Sequence, residues 1–174
     1  QLAALTTAQV ASLTPAQVAS LTPADLAAMT TEQFRAMGTA QIAAITTAQA
    51  ASLTSVQVGV LSALQIADLS PAAFASLSVA NMAIGQWANV TAEQVAAMTP
   101  AQFKTLSAAQ VAAIPAAAVS SLSADAIQSL SVAQVAGLNS VQTAELTSAQ
   151  VEALTTAQVA GLATAQVAAL TSAG

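Results

Sequence analysis

The chain has 174 residues, 56% of them hydrophobic but only 2% aromatic and 5% charged, and its seven acids and two bases leave a formal net charge of −5. Histidine, cysteine and tyrosine are absent, which excludes imidazole bases, thiol chemistry and metal sites built on His or Cys. Arg35 and Lys104 are the sole cations, so no basic stripe exists for nucleic acid, and Gln41, Gln49, Gln57 and Gln65 interrupt the longest uncharged run before it reaches the roughly 20 apolar residues of a transmembrane span.

From the N-terminus an apolar residue returns every eight positions: Leu5, Leu13, Leu21, Met29, Met37, Ile45, Leu53, Leu61, Leu69 and Leu77. After a gap of thirteen the series resumes at Val90 and runs through Met98, Leu106 and Ile114 to Leu154, Leu162 and Leu170. A short fixed period is the mark of an array whose units pack mainly on their neighbours. With the recurrent leucine numbered zero, +1 is Ser or Thr in 16 of 20 complete units, +4 is Gln in 15, and +5 is a large apolar residue in 18.

Each unit therefore opens with a helix-start signal. Thr or Ser followed three residues later by Gln is a capping box, and the apolar residues at zero and +5 fall at N′ and N4, the positions of a hydrophobic staple. Pro15, Pro23, Pro71 and Pro100 all stand at +2, which becomes N1, where proline is favoured. Glu32, Glu93 and Asp125 lie in the first turn and Arg35 and Lys104 near the end, both suited to the helix dipole. A β-solenoid is disfavoured because zero and +5 have opposite parity and because Ala and Gln are poor strand residues. One long helix is excluded too, since eight residues overshoot two turns by about 80° and each proline would break it.

The expected fold is all-α: a solenoid of very short capped helices, one per eight-residue repeat, with one register break at residues 78–90. Residues 1–77 and 91–174 form the regular arrays within one continuous structural domain, and two helices per turn is the expected winding, with three per turn, a shorter and fatter coil, as the alternative. Helices of about six or seven residues are too short to be stable alone, so a structural ladder must hold them: Leu13, Val18, Leu21, Leu53, Val58, Leu154, Val159 and Leu162 are representative. Representative caps pair Thr14 with Gln17, Thr46 with Gln49 and Thr155 with Gln158.

The break reads SVANMAIGQWANV and holds the only tryptophan, Trp87, with Asn81, Gly85 and Asn89. Its simplest reading is a three-residue deletion spread over two units, with Gly85 turning the chain and Trp87 filling the gap. Its sharper reading is an interaction patch of Trp87, Asn81 and Asn89, because Trp is enriched at binding hot spots.

No constellation for catalysis is present. The seven carboxylates are scattered, and the many Ser and Thr have no imidazole to activate them. The sequence predicts neither an enzyme nor a cofactor. Low surface charge predicts self-association, as a homo-oligomer or filament. Thr7, Thr31, Thr39, Thr47, Thr156 and Thr164 share position +2, and as a regular outward row they would suit a glycan, ice or other surface ligand.

Segments such as LTPAQVAS (13–20), LTTAQVAGL (154–162) and ATAQVAAL (163–170) resemble the LTxAQVAAL-type repeats of very large bacterial surface and secreted proteins, often labelled as haem-utilisation or adhesion proteins. The resemblance covers nearly the whole chain outside 78–90. It implies an extracellular or cell-surface location. The haem label finds no His, Cys or Tyr to ligate iron here. The array opens and closes partway through a unit, which reads as a window on a longer one. The expected role is a rod or filament segment of an extracellular fibre or adhesin stalk, self-assembling end to end; the alternative is a repetitive-surface binding module without catalysis.

Overall fold

The computed structural model describes residues 4–172. Residues 1–3 and 173–174, where the array opens and closes, lie outside the described residues. The chain is all-helical, with no strand among the described residues, and it divides into two compact units, Gln1–Asn89 and Val90–Gly174.

The first unit holds α1 (Thr7–Ala11), α2 (Pro15–Ser20), α3 (Pro23–Ala27), α4 (Thr31–Ala36), α5 (Thr39–Ala43), α6 (Thr47–Ser52), α7 (Ser55–Val60), α8 (Ala63–Asp68) and α9 (Pro71–Ala75). Two 3₁₀ turns follow, Val79–Asn81 and Ile84–Asn89. The second unit holds α10 (Ala92–Ala97), α11 (Pro100–Thr105), α12 (Ala108–Ala112), α13 (Ala116–Val119), α14 (Ala124–Ser129), α15 (Val132–Ala136), α16 (Ser140–Ala144), α17 (Ser148–Glu152), α18 (Thr156–Ala160) and α19 (Thr164–Ser172). The expected solenoid of short helices, one per repeat, is the observed architecture.

Most of these helices start the same way. Thr14, the residue at +1 before α2, is extended (φ −73°, ψ 156°), and its hydroxyl accepts from the Gln17 backbone N–H at 3.2 Å. The Thr14 N–H donates to Gln17 Oε1 at 2.8 Å, so the box is reciprocal. Pro15 stands at N1, where the missing N–H costs nothing. Helix ends also follow one rule. The leucine at zero donates its N–H to the +5 carbonyl three residues back, as Leu21 does to Val18 at 3.1 Å, and then turns extended at φ −64°, ψ 144°. No glycine adopts positive φ among the described residues, so these helices stop without the left-handed glycine cap that many helices use.

Within each unit the coil is three-sided, and each helix packs on the one three places later. In the first unit α1, α4, α7 and the Val79–Asn81 turn make one side; α2, α5, α8 and the Ile84–Asn89 turn the second; and α3, α6 and α9 the third. In the second unit the sides are α10–α13–α16–α19, α11–α14–α17 and α12–α15–α18. The expectation of two helices per turn is thus corrected to three. Two would require the chain to reverse at every corner, and the one or two αR or extended residues available there, with no left-handed residue, turn it less.

Residues at zero and +5 face inward. Val18, Leu26, Phe34, Ile42, Val58, Ile66 and Phe74 at +5 are fully buried, as are Met37, Leu53, Leu61 and Leu69 at zero to within a few per cent. Leu13, Leu21, Leu154 and Leu162, in the first and last turns, are half-buried. Val159 departs from the ladder expected of it: it is 49% exposed, because no later turn among the described residues covers it. Position +7 is mostly small, and it meets +2 of the turn below. A Cβ on Gly161 would run into Val132 Cγ1, and one on Gly137 would lie 3.3 Å from the Ala108 carbonyl oxygen. Ser52 and Ser129 at +7 donate to the Pro23 and Pro100 carbonyls across the same junction.

Candidate functional site

Glutamine at +4 is where the sequence pattern and the three-sided coil meet. Its Oε1 accepts from the N-cap backbone, and its Nε2 reaches one turn down. Gln49 receives the Thr46 N–H at 2.9 Å and donates to the Val18 and Leu21 carbonyls at 2.8 and 2.7 Å. Those carbonyls close the corner between α2 and α3, directly below the corner between α5 and α6. Gln158 does the same from Thr155 (2.7 Å) to Ile127 and Leu130 (2.9 and 2.7 Å). The pattern recurs at Gln41, Gln57, Gln134, Gln142, Gln150 and Gln166. A backbone N–H can be met only by the amide oxygen and a carbonyl only by the amide nitrogen, so the orientation of each side chain is forced.

One residue therefore satisfies a helix N-terminus in its own turn and a helix C-terminus in the turn beneath. The unpaired groups of short helices are otherwise a large liability, since each end leaves several without intrahelical partners. Gln49, Gln94, Gln142 and Gln150 are at most 2% exposed. Burial of an amide costs heavily unless its bonds are made; here they are made. The capping role was legible from spacing alone. The donation across turns was not, because it depends on the winding number.

Not every +4 residue is Gln, and the exceptions differ in kind. Asp25 accepts from the Thr22 N–H (3.3 Å) and hydroxyl (2.7 Å). The Thr22 hydroxyl, and then the Thr22 N–H, hold its carboxyl below the usual aspartate value. It lies in the first turn, where no described corner lies beneath it, so an acceptor alone suffices. Ala73 and Ala126 receive only the serine half of the cap, from Ser70 and Ser123.

The register break resolves into one short unit followed by one normal one. Gln86 takes the staple position, accepting from the Ala83 N–H at 2.6 Å and donating to the Val58 and Leu61 carbonyls at 2.8 and 2.6 Å. Those partners lie 28 and 25 residues back rather than 31 and 28. All three missing residues are therefore lost from residues 77–81, and Met82 stands at zero of an ordinary eight-residue unit. A 3₁₀ turn rises about 2.0 Å per residue against 1.5 Å for an α-helix, so Val79–Asn81 spans its side with fewer residues. Gly85 does not turn the chain; it lies within the Ile84–Asn89 turn without positive φ.

Trp87 falls at +5 and is fully buried, its ring meeting Phe74 edge-on at 6.2 Å and 87°. As a core residue it offers a partner no surface, which corrects the interaction-patch reading; Asn81 and Asn89 remain exposed beside it. Its Nε1 is the buried side-chain polar atom that finds no hydrogen-bond partner among the described residues.

The +2 threonines do not form a row. Thr7 and Thr31 share a side, but Ser55 follows them; Thr39 lies between Pro15 and Ala63, Thr47 between Pro23 and Pro71, and Thr156 and Thr164 fall on different sides. Nor do the carboxylates converge: among the described residues no three gather as a metal site would need. No helix among them is long and apolar enough to cross a membrane.

Comparison with known proteins points at the corner. The model of the ALTTAQ repeat family matches residues 23–55 and 144–172. The six letters occur unaltered as Ala4–Gln9 and Ala153–Gln158, running from +7 through the leucine and the cap to the +4 glutamine. No curated protein and no solved structure matches the chain. What the family model and the helices establish together is a short-repeat helical protein, similar to the ALTTAQ repeat family over residues 23–55 and 144–172.

Proposed function

We propose that this chain is a structural segment, a rod-like length of a bacterial extracellular fibre or adhesin stalk, without catalytic activity. The observation that carries the reading is the stapled corner. The side chains with hydrogen-bonding capacity that recur through the array are spent within it, the +1 hydroxyls on capping their own helices and the +4 amides on joining one turn to the next. What faces outward is mostly alanine, serine and threonine without repeated order along a side. Such a coil gains length by adding turns, each turn contacting only its neighbours, which is the mechanical requirement of a stalk. The resemblance to repeats of large bacterial surface proteins supports the location.

Arrays built with increasing numbers of 24-residue turns test this by negative-stain microscopy. Length should grow linearly by roughly the 8–10 Å spacing of packed helices per turn, at constant width. Particles that thicken as turns are added would overturn it. Labelling intact cells with an antibody against the chain tests the location, and signal confined to permeabilised cells would refute it.

A further inference from the structure

We propose that the second unit contains a hinge: its turn α13–α15 parts from the turn α10–α12 on two of the three sides and pivots on the third. The inference goes beyond the stalk reading and does not depend on it, because it concerns how the joints differ rather than what the coil is for.

Staples are made one per corner, so the residue at +4 sets the strength of each joint. Ala118 and Ala126 stand at +4 in two successive repeats. The corners one turn below, at Val90 and at Val95 and Met98, therefore receive no glutamine. Both alanines are at most 3% exposed, so apolar packing closes the space and leaves no water in the amide's place. On the third side Gln134 makes the full staple, to the Phe103 and Leu106 carbonyls at 2.8 and 2.7 Å. What crosses the unstapled sides instead is a hydroxyl. Ser129 donates to the Pro100 carbonyl at 3.1 Å, shared with the Ala126 carbonyl of its own helix at 2.7 Å. Helix α13 is weak in its own right. Pro115 takes the cap position without a side-chain hydrogen bond, and proline has no N–H for an amide oxygen to receive. The helix that follows has four residues, Ala116–Val119.

From above, the same turn is held firmly. Gln142 reaches the Val111 and Ile114 carbonyls, Gln150 those of Val119 and Leu122, and Gln158 those of Ile127 and Leu130. Helices α13 and α14 are thus tied to the turn after them and only loosely to the turn before. Separating α10 from α13 and α11 from α14 parts no glutamine staple, whereas the next joint up would lose three. Local opening follows the boundary that costs least. The first unit also lacks two successive staples, at Ala73 and in the shortened repeat. There, however, Phe74 and Trp87 are fully buried, and rings of that size bury far more apolar area than Val119 and Ile127 at +5 of α13 and α14.

Amide hydrogen exchange of the 174-residue chain, resolved helix by helix, tests the hinge. In the wild type α14 should exchange at least about tenfold faster than α15, the effect of losing roughly two net hydrogen bonds. The comparison uses α14 because it keeps the hydroxyl cap of Ser123, whereas α13 frays for want of one. Cysteine is absent, so introduced thiols are unique and the joint can be clamped from outside without touching the core. Ala101→Cys with Asp125→Cys, joined by a short bismaleimide, clamps the α11–α14 side; Ala109→Cys with Ala133→Cys clamps the α12–α15 side, and all four positions are exposed. The first clamp should slow exchange in α14 by at least about tenfold. The second should leave it unchanged, because Gln134 already holds that side. Fraying of α14 by itself would ignore both clamps. Wild-type exchange as slow in α14 as in α15, no slowing by the first clamp, or equal slowing by both overturns the proposal.

Discussion

Replacing Gln49 by Glu changes one NH2 into an oxygen and nothing else in shape. Oε1 still accepts from Thr46, so the helix keeps its cap. The two donations to Val18 and Leu21, at 2.8 and 2.7 Å, become oxygen–oxygen contacts at a residue that is 1% exposed. Each lost bond forfeits a net stabilisation of about 0.5–1.5 kcal/mol; the Val18 carbonyl keeps the Leu21 N–H, whereas the Leu21 carbonyl is left bare, at a further cost of about 1–3 kcal/mol. Partial relaxation sets the expected loss near 3–5 kcal/mol at neutral pH, the usual range for a broken buried polar network. Gln17→Glu is the matched control, with the same residue types in the same box at an exposed corner without a turn beneath. It should change stability by less than about 1 kcal/mol, since a carboxylate in the first helical turn is mildly favourable. Repulsion by the two carbonyls raises the folded-state pKa of the carboxyl introduced at position 49 above its unfolded value. The penalty is therefore full at neutral pH and relaxes as pH falls through that raised value. Urea unfolding followed by far-ultraviolet circular dichroism measures both variants. Equal losses for Gln49→Glu and Gln17→Glu would refute the role assigned to the inter-turn staple.

Gly161→Ala should destabilise, because its Cβ would press on Val132 Cγ1, and overpacking of this kind costs typically about 1–3 kcal/mol; in a Val132→Ala background the same change should be neutral or stabilising, and thermal unfolding of the four-member cycle reads the coupling. Trp87→Phe should cost less than about 1.5 kcal/mol, because losing part of the ring is offset by removing a buried N–H without a partner, whereas Trp87→Ala should cost about 3–5 kcal/mol; chemical denaturation distinguishes them. In the wild type, Trp87 emission should be blue-shifted and protected from acrylamide, and an emission maximum typical of water would contradict its burial. Asp25→Asn tests the carboxylate cap. Because the folded pKa of Asp25 is lowered, its contribution is complete above the ordinary aspartate range and fades as pH falls through the lowered value. The two proteins should therefore differ in melting temperature at neutral pH and converge in strong acid.

The local structure was written in the sequence more plainly than the winding. Thr14, Pro15, Gln17 and Val18 specify N-cap, N1, N3 and N4 through contacts no more than a few residues apart, and such contacts leave a periodic trace. The number of helices per turn depends on how far a corner bends, which is a property of backbone angles at Leu21 and its equivalents rather than of residue type. That is why three sides stood only as the alternative to two, and why the second half of what Gln49 does was missed. One signal did exist. A glutamine needed only to cap could be glutamate as often, yet +4 is Gln in 15 of 20 units and Glu in none, a preference for a side chain that donates as well as accepts. The break was misread for a related reason. Counting from Leu77 placed Met82 at +5, while Gln86 directly before the bulky Trp87 is the +4/+5 pair that marks Met82 as zero. Trp87 then falls at +5 beside the phenylalanines.

Three sides and eight residues per side have a genetic corollary. A duplication of eight codons adds one helix and leaves every later staple able to form, but it rotates the downstream sequence by one side. Residues that had shared a side with those below them no longer do. Only duplications of twenty-four codons return each side to itself. The core is therefore indifferent to either event, while any pattern on the outside survives only the longer one. An array of this design can change its length freely in evolution and can keep an ordered outer surface only with difficulty, as the scattered threonines on its sides already show.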